Sequence, residues 1–338
     1  MLQVVLLFLM LALLLYVLLA GADFGAGIIE LFSSKQSKGD TKTTVYRVMG
    51  PVWEANHIWI IIVAVILWVG FPKFYNILVV YLHIPLTLVL LGITLRGVSF
   101  VFRHYDAFKD KSQVVYDWMF RLSSLITPIF LGMTFGAMVS GYIHTTNVNM
   151  SFYQLFIHPW CNLFSILIGL FFAALCTFLA AVLLIGEAAE GQRNRYITKA
   201  KIANIVVVVI GGMVLVYGAV YNYRFVTEFT SNPYAIALVA LSGIIIIPVS
   251  YSIKKGAKIK SRFFAGVQVV LILLAGTLAH YPNLLITADS DVSLVAMASA
   301  PKVIQSLGIT LILASLLILP GLFHLFKSFK MIKILEKF

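Results

Sequence analysis

Five side chains that could form a polar or proton-carrying site lie close together in one short stretch. Glu54 carries a carboxyl, Asn56 an amide and His57 an imidazole, and the indoles of Trp53 and Trp59 flank them. On a helix, residues three apart such as Glu54 and His57 share a face. Ionisable groups inside a membrane are costly and usually functional. Because a long apolar run follows directly, we interpret this cluster as the polar start of a membrane helix.

The composition indicates a membrane protein. The chain has 338 residues, of which 61% are hydrophobic and only 11% are charged, and its mean hydropathy of +0.99 excludes an ordinary soluble domain. By the criterion of about 20 apolar residues per span, we predict an all-α polytopic membrane protein with about nine transmembrane helices. The predicted helices are 2–32, 53–72, 76–100, 119–143, 160–186, 202–222, 234–252, 263–286 and 303–326. Short polar loops are predicted between them.

The formal net charge of +12 could suggest nucleic acid as a partner. The distribution of the charge excludes this interpretation, since 22 of the 25 Lys and Arg residues lie on alternate connections and in the tail. We call the side of the membrane with these connections the basic side. The positive-inside rule makes it cytoplasmic, which predicts an N-terminus outside and a C-terminus in the cytoplasm.

The predicted orientation brings further polar groups to the same depth. Asp23 would lie about 15 Å and Glu54 about 10 Å below the basic side, at 1.5 Å per residue, and Arg96 ends the third helix on that side. We therefore expect Asp23, Glu54, His57 and Arg96 to form one cluster. The carboxyls could form structural ion pairs with Arg96, or they could relay protons, since carboxyls near water with perturbed pKa values exchange protons at working pH.

Histidines and internal symmetry also bear on the function. Haem ligation by two histidines needs them on facing helices, and His83 and His280 could share the outer leaflet, although a histidine with satisfied hydrogen bonds is the simpler interpretation. The first and fifth helices both end in glycine and a carboxyl, at Asp23 and Glu187. This spacing is consistent with a duplication of four plus four helices and one extra helix.

Three motifs resemble a known family. After a basic loop the chain reads Gly-Pro-Val-Trp-Glu-Ala-Asn-His-Ile-Trp over residues 50–59, which resembles the Gly-Pro-x-Trp-Asp/Glu-x-Asn-x-Val/Ile-Trp signature of subunit II of cytochrome bd-type quinol oxidases. Gly-Ala-Asp-Phe-Gly-Ala-Gly, 21–27, resembles the family's Asp-Gly-Phe-Asp-x-Gly-x-Gly, and Leu-Arg-Gly, 95–97, its third-helix arginine. Ala20 and Ala22 replace the leading Asp and the Phe of the first-helix motif, so no role for that leading carboxyl carries over.

The resemblance implies a complex that oxidises membrane quinol and reduces O₂ to water in a bacterial cytoplasmic membrane. Haem b and haem d would be bound by the partner chain, subunit I, and no haem by this one. Subunit II would form one membrane domain, 1–338, with two four-helix bundles, 1–143 and 160–286, and a peripheral helix, 303–326. A small single-helix subunit, lipid and quinol are further implied partners. Whether a quinone binds to this chain is left open by the resemblance.

The resemblance also assigns residues. Glu54 would be the carboxyl of a cytoplasmic proton channel and Asp23 the first-helix carboxyl. The surrounding frame would be Trp53, Asn56, Trp59 and Arg96. We expect the proton path to comprise Glu54, Asp23, His57 and Asn56, because these groups lie at one depth or beside Glu54. We expect no catalytic residue and no metal or cofactor ligand in this chain.

Two alternatives from other classes remain. Intramembrane carboxyls and a helical repeat also suit a proton-coupled secondary transporter, which would carry a substrate site at the middle of the membrane between broken helices. The other alternative is a purely structural scaffold, in which the carboxyls only pair with Arg96.

Overall fold

The computed structural model describes residues 1–105, 111–146, 149–188 and 191–328. Within these residues, nine helices are long and apolar enough to cross a membrane. The first span, Leu2–Leu31, comprises α1 (Leu2–Leu15), a π-helical segment (Tyr16–Ala20) and α2 (Gly21–Leu31). The other helices are α3 (Lys38–Met49), α4 (Trp53–Gly70), α5 (Pro72–Tyr81), α6 (His83–Tyr105), α7 (Ser112–Ser140), α8 (Phe152–Phe156), α9 (Leu163–Glu187), α10 (Arg193–Val220), α11 (Arg224–Ser231), α12 (Pro233–Lys254), α13 (Lys258–His280) and α14 (Pro301–Ser328).

Several predicted helix boundaries are wrong. The fourth and sixth spans begin earlier than predicted, at Ser112 and Arg193, and two other predicted helices run through a break or a strand. The third span was predicted at 76–100, but the chain breaks at Leu82 and α6 begins at His83, with Pro85 in its first turn, where a missing N–H is tolerated. The eighth was predicted at 263–286, but α13 ends at His280. Pro282 cannot continue a helix, and Leu285–Ile286 instead forms strand β1, antiparallel to β2 (Asp291–Val292). The basic tail used in the charge pattern lies largely beyond residue 328, outside the described residues.

The prediction of short polar loops is wrong between the first and second spans. This connection contains α3, a helix with a polar outer face and a buried face. Thr41, Val45 and Val48 belong to the buried face, and their spacing of three and four residues is typical of an amphipathic helix. Because α3 contains no run of about 20 apolar residues, hydropathy does not indicate it.

The core is organised around α9. Helices α2, α7, α10 and α13 all pack against it, and Asn162 begins it by accepting a hydrogen bond from the Ser165 backbone N–H at 2.9 Å. The approach of α2 is so close that a Cβ at Gly25 would overlap the carbonyl group of Cys176 and lie 2.8 Å from the Ala180 Cβ. In contrast, α14 contacts α1 and α4 and leaves most of its surface exposed.

The connections opposite the basic side are tied together by Asp289. Its carboxylate accepts hydrogen bonds from the backbone N–H groups of Thr146, at 3.0 Å, and Thr145, at 2.7 Å. These two bonds favour the ionised form, and they lower the pKa of Asp289 from 3.8 to about 2. The Asp289 carboxylate therefore links the loop before β2 to the loop after α7.

Candidate functional site

Asp23 and Arg96 form an ion pair in the interior of the protein. Arg96 donates from Nη1 to Asp23 Oδ2 at 2.7 Å and from Nη2 to Oδ1 at 2.8 Å. The side chains are 0% and 1% exposed. A bidentate geometry of this kind is the strong form of an arginine–carboxylate pair. Arg96, which was predicted to lie beside Asp23, therefore donates a hydrogen bond to each oxygen of this carboxylate.

Arg96 is fixed by more than its partner carboxylate. It donates to the backbone oxygen of Asp23 at 3.0 Å, and its Nε donates to Ser124 Oγ at 3.0 Å. Its guanidinium carbon lies 5.3 Å from the ring centroid of Phe24 and 4.9 Å from that of Phe120. These contacts join α2, α6 and α7 around one buried charge pair.

His57 lies at the edge of this pair. Its Nε2 is 3.8 Å from Asp23 Oδ2, which is close for a charge contact and too long for a direct hydrogen bond. The imidazole packs against the rings of Phe24, at a centroid distance of 5.4 Å, and Tyr16, at 6.1 Å. His57 is therefore enclosed by two aromatic rings at the edge of the ion pair.

Glu54 does not join the cluster predicted for it. Its side chain is exposed on the surface of the chain, and no hydrogen bond or ion pair connects it with Asp23 or Arg96 among the described residues. It begins a surface stripe on α4, at alternating spacings of four and three residues, and we call this stripe the α4 stripe. Its other members, all at least 41% exposed, are Ile58, Ile61, Val65 and Trp68. Asp23 is therefore buried and paired with Arg96, whereas Glu54 is exposed and lies outside this ion pair.

The three predicted frame residues of α4 take different positions. Asn56 and Trp59 are on the buried face of the helix, 4% and 7% exposed. Trp53 packs on α6, with its ring 5.3 Å from that of Phe100 and so close to Gly97 that a Cβ there would lie 3.1 Å from the indole. The Leu-Arg-Gly motif thus supplies both the arginine for Asp23 and a flat contact for Trp53.

A second ion cluster, which the sequence analysis missed, lies nearer the basic side. Glu30 Oε1 accepts from Arg103 Nη2 at 2.7 Å and from Arg121 Nε at 2.9 Å. Asp117 accepts from Arg103, Arg121 and Lys42 at 2.9, 3.2 and 2.7 Å. Glu30 is 0% exposed and the two arginines at most 6%. The cluster therefore joins α2, α3, α6 and α7.

A spacing in the sequence could have revealed this cluster. Glu30 follows Asp23 by seven residues, and Arg103 follows Arg96 by seven. Residues seven apart lie on nearly the same side of a helix, about 10 Å along its axis. A second carboxylate–arginine pair was therefore to be expected two turns below the first. Phe120 contacts both pairs, since its ring centroid lies 4.9 Å from the Arg96 guanidinium carbon and 4.4 Å from that of Arg103.

The other histidines considered for haem have separate surroundings. His280 has Nδ1 2.8 Å from Glu228 Oε2 and Nε2 3.1 Å from the Phe225 carbonyl oxygen, so both ring nitrogens are engaged and His280 does not fit an axial ligand. His83 has Nδ1 2.9 Å from the Val80 carbonyl oxygen. Within the described ranges, no group of three or more His, Cys, Asp or Glu side chains could hold a metal ion.

These features define the class of the protein, a polytopic helical membrane protein with ion pairs inside its membrane-embedded core. The model of one family, described as cytochrome bd terminal oxidase subunit II, matches residues 1–329. The chain belongs to this family, and the family predicted from the sequence is confirmed.

Two relatives and one solved structure are similar to the chain. The chain is 31% identical to "Cytochrome bd ubiquinol oxidase subunit 2" of Bacillus subtilis over 159 residues, which cover 47% of this chain and 45% of that protein. It is 25% identical to "Cytochrome bd-I ubiquinol oxidase subunit 2" of Escherichia coli K12 over 122 residues, 36% of this chain and 31% of that one. The chain thus spans less than half the length of either relative in these alignments.

The solved structure is the bd oxidase from Geobacillus thermodenitrificans. One of its chains superposes with a TM-score of 0.78 and 17% sequence identity, covering 97% of this chain and 98% of that one. At this identity the match shows a shared fold. The predicted all-α polytopic fold is confirmed.

Proposed function

We propose that this chain is subunit II of a quinol:O₂ oxidoreductase in a bacterial cytoplasmic membrane. It supports a haem-bearing subunit I and contributes a proton-uptake route from the basic side. Haem would supply electron transfer and O₂ reduction in the partner chain. The names of the two relatives, both ubiquinol oxidase subunits, and the family support this assignment.

The observation that carries the uptake route is the exposed Glu54. A carboxyl facing hydrocarbon is expensive, and in the described part of the chain nothing pairs with it. The α4 stripe continues from it with the heptad-like spacing that packs one helix against another. We infer that the stripe is covered by subunit I and that Glu54 lies at the junction of the two chains, where a partner can complete a hydrated path.

The route inward from Glu54 passes His57. His57 lies three residues after Glu54 on α4 and turns inward, with Nε2 3.8 Å from Asp23 Oδ2, whereas Glu54 is exposed. The hydrated path at the junction with subunit I would connect the two side chains. Because Arg96 engages both oxygens of Asp23, we assign this carboxylate the role of an anchor that holds His57, and we assign proton uptake to Glu54 and His57. Asn56, Trp53 and Trp59 fix the position of α4.

The test is Glu54→Gln in the purified complex. We expect quinol-driven O₂ uptake per haem to fall by about 100-fold, the lower end of the usual contribution of a proton-transferring group, and Glu54→Asp to retain most of it. Asp40→Asn is the matched control, because it removes an exposed acid that forms only a long ion pair among the described residues, with Arg195 at 3.7 Å. Unchanged uptake in an assembled Glu54→Gln complex would refute the route.

We also propose that the chain is one membrane domain with a four-plus-four duplication. Glu30 at the end of α2 pairs with Arg121 near the start of α7 at 2.9 Å. Glu187 at the end of α9 pairs with Arg262 near the start of α13 at 2.7 Å. Each pair joins the first and fourth spans of one half, which supports bundles at 1–143 and 160–286, with 303–326 as the peripheral helix.

A further inference from the structure

Two buried polar atoms, the Tyr16 hydroxyl and His57 Nδ1, lie on neighbouring helical segments near the Asp23–Arg96 pair. Tyr16 is 3% exposed, and its hydroxyl has no hydrogen-bond partner among the residues that the structure describes. The same holds there for Nδ1 of His57. The two rings lie 6.1 Å apart, and the π-helical segment that Tyr16 begins packs against α4.

Such atoms are not left unsatisfied in a membrane span. Each unpaired polar group in hydrocarbon costs several kcal/mol, and ordered water relieves this cost where two to four polar partners converge. A third buried atom without a partner in the described ranges, Trp59 Nε1, lies on α4 in the same packed core as Tyr16. A π-helical turn, which occurs often at functional sites, adds a locally altered backbone at Tyr16–Ala20.

The position of these atoms extends the route of the proposed function. Tyr16 precedes Asp23 by seven residues and therefore lies about 10 Å farther from the basic side. His57 lies between the two, with Nε2 beside Asp23 and Nδ1 unpaired in the described chain. A path that enters at Glu54 thus reaches Tyr16 after His57, closer to the middle of the membrane.

We propose that Tyr16 and His57 hold ordered water between the first and second spans, and that this water carries protons inward from His57. The inference rests on the proposed function. One ring nitrogen of His57 takes a proton to give the imidazolium, and the other releases a proton to water, which restores the neutral ring. No oxidant or other reactant is needed. Tyr16 is a positioning residue, because its hydroxyl orients the water.

The test is Tyr16→Phe in the whole complex, which removes only the hydroxyl. We expect turnover per haem to fall about tenfold, below the usual range for a direct proton-transferring group, and the solvent deuterium isotope effect on turnover to rise. Tyr196→Phe is the matched control. It also removes a fully buried hydroxyl without a partner in the described chain, but on α10, and should change neither quantity.

The outcomes separate this inference from the proposed function. Loss of turnover in Glu54→Gln with normal turnover and isotope effect in Tyr16→Phe overturns the inference alone. Normal turnover in both overturns both. If Tyr16→Phe fails to assemble, a map of the wild-type complex that resolves water decides. Density bridging Tyr16 Oη and His57 Nδ1 supports the inference, and continuous apolar packing there refutes it.

Discussion

The buried pair of Asp23 and Arg96 allows a quantitative test of the core. Asp23→Asn keeps the shape of the side chain and removes its charge. The guanidinium of Arg96 is then left without a counter-charge at a position where it is 1% exposed. Arg96→Met leaves the opposite charge uncompensated. The double variant removes both charges and leaves neither unpaired.

The expected magnitude follows from burial and bonding. Removing one partner of a buried ion pair costs about 3–5 kcal/mol, whereas replacing both is far less costly. Arg96→Met also loses the bonds to the Asp23 backbone oxygen and to Ser124, each worth about 1.5–3 kcal/mol for a charged donor. We therefore expect the double variant to be at least about 2 kcal/mol more stable than the sum of the single losses predicts.

The assay is denaturant titration of the purified complex, followed by haem absorbance and by the fluorescence of the chain. Asp40 and Arg195 supply the control cycle, since their 3.7 Å pair is 49% and 36% exposed and exposed pairs couple by about 0–1 kcal/mol. Equal coupling energies in the two cycles, or an Asp23→Asn complex as stable as the wild type, would refute the assignment of a closed interior pair.

Two further predictions concern packing and pH. Gly25→Ala should lower the free energy of unfolding by about 3 kcal/mol, the upper end for overpacking, because the new methyl meets the Cys176 backbone. Gly276→Ala is the control, since no atom lies within 4 Å of its new Cβ, and it should raise the free energy of unfolding by about 0.5–1 kcal/mol. Thermal unfolding of the two variants compares these effects. The depressed pKa of Asp289 means that its bonds contribute fully above 3.8 and are lost as the pH falls toward about 2. Pepsin should therefore cleave the loop at Thr145 faster in Asp289→Asn than in wild type at pH 4, and this difference should shrink as the pH falls to 2 and below. A ratio of cleavage rates that stays constant with pH would contradict this.

The sequence predicted the membrane-spanning elements well because their signal is local. A span needs only a run of apolar residues, and each of the nine predicted runs overlaps an observed span among the described residues. The ends were harder to predict. Leu285 and Ile286 are as apolar as helix residues, and only their pairing with the strand at Asp291–Val292 makes them extended. The buried face of α3 depends on contacts with the rest of the fold, which hydropathy does not encode.

The site was predicted in part for a related reason. Depth along a helix follows from residue count, so Asp23, His57 and Arg96 were placed at one level, and the structure brings them together. The rotation of a helix about its own axis does not follow from that count. Glu54 was therefore assigned to the cluster although its side chain points away from it. Glu30 was missed because it lies where a span ends and looks like a solvated boundary residue.

The seven-residue spacing of acids on the first span and of arginines on α6 fixes the register between these two helices. If α6 slid two turns along its neighbour, Arg96 would meet Glu30, while Asp23 and Arg103 would both lose their counter-charges inside the protein. At intermediate offsets the buried charges would also be unpaired, and each unpaired charge would cost several kcal/mol. The ion pairs thus oppose sliding of the helices in the first half of the chain. This property suits a stationary wall for the proposed proton path and is poorly suited to alternating access.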